Sequence, residues 1–251
     1  MRKLLLLFFI SINTICLGQT RQPRVFLFVP GAFDGGWDYS KVDAILRTRG
    51  EVVYRPTLTG LGERVNSSNA DINLSTYIAD VVNLIKFENL HDIILVGHSY
   101  AGMVISGVAE QMPDRIKELI YLDAMVPNDG ESAEDLAKAG GLWDMMMKPN
   151  IKGDFIVPPY PQPTNPPYDV PQSLKTFTEP VKISNPLVKK IPSIFIAMTK
   201  DGAVSPIIDK MGISRARSRN WKIYTLEGGH YAMREQPENL VNKLESVIVE
   251  N

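Results

Sequence analysis

Cysteine is nearly absent: the 251 residues contain one, Cys16, so no internal disulfide can brace the fold and stability has to come from an apolar core. Histidine is almost as scarce. The three, His91, His98 and His230, show no pair at metal-ligand spacing and meet no cysteine cluster, which argues against a metal enzyme. There is no polybasic run either. Basic and acidic side chains number 27 and 28, and nothing in their placement resembles a surface for nucleic acid or anionic lipid. Internal repeats are also missing, and the length suits one large domain, with an inserted cap, rather than two enzymes in tandem.

The one long apolar run lies at the amino terminus. Arg2-Lys3 is followed by Leu4 to Leu17 and then by the small residue Gly18, the pattern of a secretory signal, with cleavage expected between Gly18 and Gln19. The run is too short for a comfortable membrane span, so no stable insertion is expected once it is removed. The destination is then the periplasm or the exterior. Acylation at Cys16 is the lesser alternative, because the bulky Ile15 precedes it. Loss of Arg2 and Lys3 leaves 25 basic against 28 acidic side chains, a formal charge near -3.

From residue 25 onward, short β-branched runs alternate with amphipathic helical patterns, which predicts an α/β fold with a mostly parallel sheet and helices on both faces. Strands are expected at Val25 to Val29, Val52 to Tyr54, Ile93 to Val96, Leu119 to Leu122, Ile194 to Ala197 and Ile223 to Leu226. Tyr77, Ile78, Val81, Val82 and Ile85 recur at helical spacing, so a helix from Leu74 to Phe87 should lay that stripe on the sheet. Further helices are expected at Val42 to Arg49, Gly102 to Gln111 and Pro237 to Val249.

The rhythm breaks between residues 126 and 190. That stretch holds Met145-Met146-Met147 and seven prolines between 158 and 171, with little strand pattern. It reads as a cap of short helices with a proline-stiffened excursion, the methionines lining an adaptable apolar pocket or packing the cap. A proline-rich ligand for a partner protein is the competing reading.

Gly97-His98-Ser99-Tyr100-Ala101-Gly102 follows a strand pattern and opens a helix. A serine on a sharp strand-to-helix turn exposes its Oγ, and it becomes a useful nucleophile when a histidine takes its proton. The flanking residues must be small, and the usual G-x-S-x-G has glycine where this chain has Ala101. His230, beyond the last strand in Leu226-Glu227-Gly228-Gly229-His230, is the best candidate base. His98 should point away and pack; His91 should be exposed. Asp201 and Asp123 both follow strands and both allow the order Ser, Asp, His. Asp201 is favoured as the orienting acid because it precedes His230 by one helix and one strand, in a glycine-bearing loop, whereas Asp123 reads as a structural acid at the cap junction. Oxyanion donors are expected from the backbone N-H of Tyr100 and from the loop Pro30 to Trp37, with Ala32 the choice and Phe33 next.

Taken together these residues resemble an α/β-hydrolase. More narrowly, Pro56-Thr57-Leu58-Thr59-Gly60-Leu61-Gly62-Glu63-Arg64, Ile78 to Ile85, Gly97 to Met103 and Tyr121-Leu122-Asp123-Ala124 resemble a bacterial carboxylesterase group that includes pyrethroid hydrolases, similar to plant methylesterases and hydroxynitrile lyases. The resemblance implies a triad of Ser99, Asp201 and His230, oxyanion donors at Ala32 and Tyr100, a helical cap, no cofactor and a small-molecule ester substrate cleaved through an acyl-enzyme. Amides and lactones remain open with the same groups. The chain departs from the commoner pattern at Pro30 and Asp34, where histidine is frequent, which bears on pocket polarity. Lyase relatives place a lysine after the catalytic histidine and a threonine near the oxyanion loop; Tyr231 and Gly31 stand there. A binding protein that keeps the pocket but turns over little is the reading from a different class.

Overall fold

A computed structural model of the protein describes residues 21–248. The expected signal sequence, its expected cleavage point and Cys16 lie outside the described residues. Strand β1 (Val25–Val29) leads through a 3-10 turn, Gly36–Tyr39, to α1 (Ser40–Thr48), β2 (Val52–Tyr54), α2 (Leu74–Phe87), β3 (Ile93–His98), α3 (Ala101–Gln111) and β4 (Ile116–Leu122). Before the sheet resumes, the chain forms α4 (Ala133–Gly140), a π-helical turn at Trp143–Met147, the two-residue strands β5 (Ile151–Lys152), β6 (Phe155–Ile156) and β7 (Gln172–Ser173), and α5 (Lys175–Thr178). Then come β8 (Ser193–Lys200), β9 (Ala203–Val204), α6 (Pro206–Ile208), α7 (Ser214–Ser218), β10 (Lys222–Glu227), α8 (Ala232–Glu235) and α9 (Pro237–Val247).

The main sheet runs β10-β8-β4-β3-β1-β2 with every neighbouring pair parallel, and β9 pairs antiparallel with the end of β8. Strand alternation feeds two cores. Leu27, Val29, Ile93 and Leu95 join one, while Phe26, Phe28, Ile94 and Val96 join the other. Helices α2 and α3 cover the first face, and α1 and α9 cover the second. In α2 the stripe Tyr77, Ile78, Val81, Val82 and Ile85 is buried as its spacing predicts. Asn73 and Thr76 close the start of that helix in a reciprocal capping box.

Two features differ from the sequence reading. The stretch 126–190 contains a three-stranded antiparallel sheet, β5-β6-β7, where little strand pattern is visible. Strands of two residues are too short to carry a period, and they pair because tertiary contacts bring them together. The second difference concerns β8, which continues past Ala197 to Lys200 because Thr199 and Lys200 pair with Val204 and Ala203. Asp201 and Gly202, at φ 53° and 74°, form the tight turn of that hairpin. Among the described residues no helix is long and apolar enough to cross a membrane.

Candidate active site

Ser99 sits between β3 and α3 at φ 54°, a strained conformation for a residue with a Cβ and one that lifts its side chain off the sheet. The turn is held from behind: Ser99 N-H donates to Leu122 O at 3.2 Å, and Met125 N-H donates to Ser99 O at 2.9 Å. The small residues around it have distinct jobs. A Cβ on Gly102 would stand 1.8 Å from Met125 O, and one on Gly97 2.9 Å from Ala101 O. The close approach therefore falls on 97 and 102, and the methyl of Ala101 fits within the buried core.

His230 reaches the serine from the loop between β10 and α8. Its Nε2 lies 3.0 Å from Ser99 Oγ, and its Nδ1 lies 2.6 Å from Asp123 Oδ2. Asp123 is buried, and its other oxygen, Oδ1, accepts the Met198 N-H at 2.9 Å. The loop is anchored by Gly228 N-H donating to Thr199 O at 2.8 Å and by Gln236 donating to Glu227 O at 2.6 Å.

The acid facing His230 is thus Asp123, and the expectation for Asp201 is corrected. β4 lies directly beside β3 in the sheet, so a residue just past its end is delivered next to the elbow. Asp201 is carried away by the extension of β8 into the hairpin; it is exposed at the cavity mouth, and its N-H donates to Glu227 Oε1 at 2.8 Å. Asp201-Gly202 is itself the sequence signal that marks a two-residue hairpin turn.

The backbone N-H groups of Ala32 and Tyr100 have no acceptor among the described residues, and Ala32 and Ser99 both line the same cavity. The N-H of Phe33, the second choice, donates to Gln172 Oε1 at 2.8 Å and is spoken for. Tyr100 itself is buried, its hydroxyl donating to Thr176 O at 2.8 Å, which ties the elbow to α5.

The cavity over Ser99 has a volume of about 560 Å³. One side is apolar, built by Leu142, Met146, Met147, Ile207, Ile208 and Met211. Met146 and Met147 come from the π-helical turn, while Met145 points out and is exposed. The lining also carries polar groups, among them Asp34, His98, Tyr160 and Tyr231. Behind it lies a cluster that the sequence reading missed apart from Asp34. Arg234 of α8 donates to Asp34 at 2.7 Å, to Asp169 at 3.2 Å and to Asp38, and it lies over the rings of Tyr231 and Trp37 at 4.3 and 4.5 Å. Tyr160 donates to Asp169 at 2.8 Å and sits 2.8 Å from the Tyr231 hydroxyl. Burial, reinforced by Asp38 and Asp169, holds the Asp34 carboxyl well above the usual carboxylate range, and the opposing pull of Arg234 does not cancel it. No local pattern announces three acids from two distant loops meeting one arginine.

The sequence is similar over part of its length to proteins of known activity. A carbendazim-hydrolysing esterase from Nocardioides sp. (strain SG-4G) is 44% identical over 131 residues, covering 52% of this chain and 52% of that one. A pyrethroid hydrolase from Sphingobium wenxiniae (strain DSM 21828 / CGMCC 1.7748 / JZ-1) is 30% identical over 114 residues, covering 45% of this chain and 40% of that one. The chain thus spans about half the length of these curated relatives, or less. Among solved structures, an extracellular α/β-hydrolase from a Paenibacillus species superposes with a TM-score of 0.76 over 91% of this chain and 100% of that one, at 22% identity, a likeness of fold. The family model described as the alpha/beta hydrolase family matches residues 26–243, from the first strand to the last helix, and the chain belongs to that family.

Proposed function

We propose that the protein is a serine carboxylesterase in which Ser99, His230 and Asp123 form the catalytic triad. The observation that carries this reading is the unbroken chain from Ser99 Oγ to His230 Nε2 at 3.0 Å and from His230 Nδ1 to Asp123 Oδ2 at 2.6 Å. Ser99 Oγ attacks the ester carbonyl while His230 Nε2 takes its proton, and Asp123 keeps the imidazole in the tautomer that leaves Nε2 free to accept. The oxyanion is received by the N-H groups of Ala32 and Tyr100, whose protons no described group occupies. His230 returns the proton to the departing alcohol, and water, activated by the same histidine, then frees the acid from Ser99.

The substrate class is a small-molecule ester with a bulky apolar portion. The methionine and isoleucine wall supports this, as do relatives named for the hydrolysis of carbendazim and of pyrethroids. With short nitrophenyl esters, Ser99→Ala should lower kcat by a factor on the order of 10⁴ to 10⁶ while the melting temperature holds. A fluorophosphonate probe should label the parent protein and not the variant. Undiminished turnover in the purified variant would end the proposal.

We also infer export. Arg2-Lys3, the apolar run to Leu17 and the small Gly18 support removal of residues 1–18. Intact mass of protein recovered from the periplasm or the medium should give Gln19 as the first residue; full-length chain retained in the cytoplasm would contradict it.

A further inference from the structure

The hydrogen bonds beside the cavity run in one direction. Tyr160 lies in the cap between Pro159 and Pro161, Tyr231 follows His230, and both line the cavity over Ser99. A phenol has one hydrogen to give and lone pairs with which to receive. Tyr160 gives its hydrogen to Asp169 Oδ2 at 2.8 Å, and the other oxygen of that carboxylate accepts from Arg234 at 3.2 Å. The Tyr231 hydroxyl stands 2.8 Å from the Tyr160 hydroxyl, whose hydrogen is already committed, so in this contact Tyr231 donates and Tyr160 accepts. Burial raises both phenols above their usual range, reinforced by Tyr231 at Tyr160 and by Asp34 at Tyr231, so each keeps the hydrogen it gives.

Every hydrogen in this run therefore points toward Asp169, and the cavity receives none. The Tyr231 hydroxyl has no other hydrogen-bond partner among the described residues, so lone pairs are what it offers to a bound molecule. Both ends of the run are held in place. Gln162 takes the Asp169 N-H at 2.9 Å and gives its amide hydrogen to Tyr160 O at 3.3 Å, which closes the proline segment into a loop, while Arg234 lies 4.3 Å over the Tyr231 ring. That ring stands 5.3 Å from the His230 ring, so the acceptor belongs to the reacting end of the cavity.

We propose that Tyr231 is a specificity-determining residue of the proposed esterase, selecting esters that carry an uncharged hydrogen-bond donor, an O-H or N-H group, and that Tyr160 is the positioning residue that makes Tyr231 an acceptor by taking its hydrogen. The selection works on polarity at nearly constant shape. A methyl group in place of the donor leaves the Tyr231 oxygen unpaired, and a methoxy group sets lone pair against lone pair. The proline segment then takes part in recognition, because it delivers both Tyr160 and Asp169.

The test compares kcat/KM for methyl esters of 2-, 3- and 4-hydroxyphenylacetic acid, and for acetates of the matching hydroxyphenylethanols, with that for their methyl and methoxy analogues. In the wild type, at one ring position or more, the hydroxy ester should be preferred to the methyl analogue by about 3- to 10-fold, and to the methoxy analogue by at least as much. Tyr231→Phe should abolish that preference. Tyr160→Phe should free the Tyr231 hydrogen for the cavity, so the methoxy ester should draw level with the hydroxy ester or pass it. Each ratio is taken within one preparation, so loss of folded enzyme cancels. A wild type without hydroxy preference at any position overturns the proposal, as does a preference that survives in Tyr231→Phe; an unchanged order in Tyr160→Phe overturns the role of Tyr160. If one variant does not fold, the wild type and the other variant decide.

This selectivity rests on the esterase reading, and binding of the same compounds to Ser99→Ala, followed by calorimetry, separates the two. Hydroxy preference in binding, with no cleavage by the wild type, would count against the esterase reading and leave the acceptor at Tyr231 standing. Cleavage without preference in either measurement would count against Tyr231 alone.

Discussion

Which acid meets His230 turns on a few ångströms of backbone. Asp123 and Asp201 both follow parallel strands, and both have positive φ, at 48° and 53°. They differ in what comes next. Asp123 leaves β4 beside the serine strand and buries one oxygen on His230 and the other on Met198 N-H. Asp201 precedes Gly202 and turns the chain back into β9, with its side chain exposed. Asp123→Asn should therefore cut kcat by a factor on the order of 10⁴, because an amide on Nδ1 favours the wrong imidazole tautomer. Asp201→Asn should change kcat far less. The reverse ranking, measured on the same ester, would restore Asp201 to the triad. The serine turn, the histidine beyond the last strand that reaches it and the loop that brings Ala32 to the same cavity were legible because each lies within a few residues of a strand end in a glycine-bearing segment. Asp123 stood among the candidates, yet choosing it required knowing that β8 runs on into a hairpin.

At the scale of elements, the helices and long strands were readable because burial on one side imposes a local period. The α2 stripe fell on the sheet, and β1 split its side chains between two cores. The elbow adds a steric condition that a period does not express: α3 starts so close to the turn after β4 that Gly102 touches Met125 O. Gly102→Ala would place a methyl 1.8 Å from that oxygen. The expected outcome is a loss of about 1–3 kcal/mol or more in denaturant unfolding, with kcat falling as Ser99 shifts. A variant as stable and active as the parent would show that the two segments are not held as closely as they stand. The stretch 126–190 was readable as an irregular excursion from its prolines and methionines, but β5, β6 and β7 were not, since dipeptide strands acquire their state from their partners.

At the scale of the molecule, the ties that close the fold join residues far apart in the chain. Arg24, before β1, bonds Glu51 at 2.6 Å and Glu245 of α9 at 2.9 Å, while Arg49 bonds Glu245 at 2.6 Å and Glu238 at 2.8 Å. Arg234 does the same around the site, gathering Asp34 and Asp38 from the loop after β1 and Asp169 from the proline segment. Apolar periodicity and turn chemistry are properties of neighbours along the chain, and from them the sequence by itself determined the α/β layering, the serine elbow, the histidine beyond the last strand and the loop that offers Ala32. Strand order and the lengths of paired strands are properties of neighbours across the sheet. Those alone decided that Asp123 rather than Asp201 meets His230, that Gln172 takes the Phe33 N-H, and that three aspartates share one arginine behind the cavity.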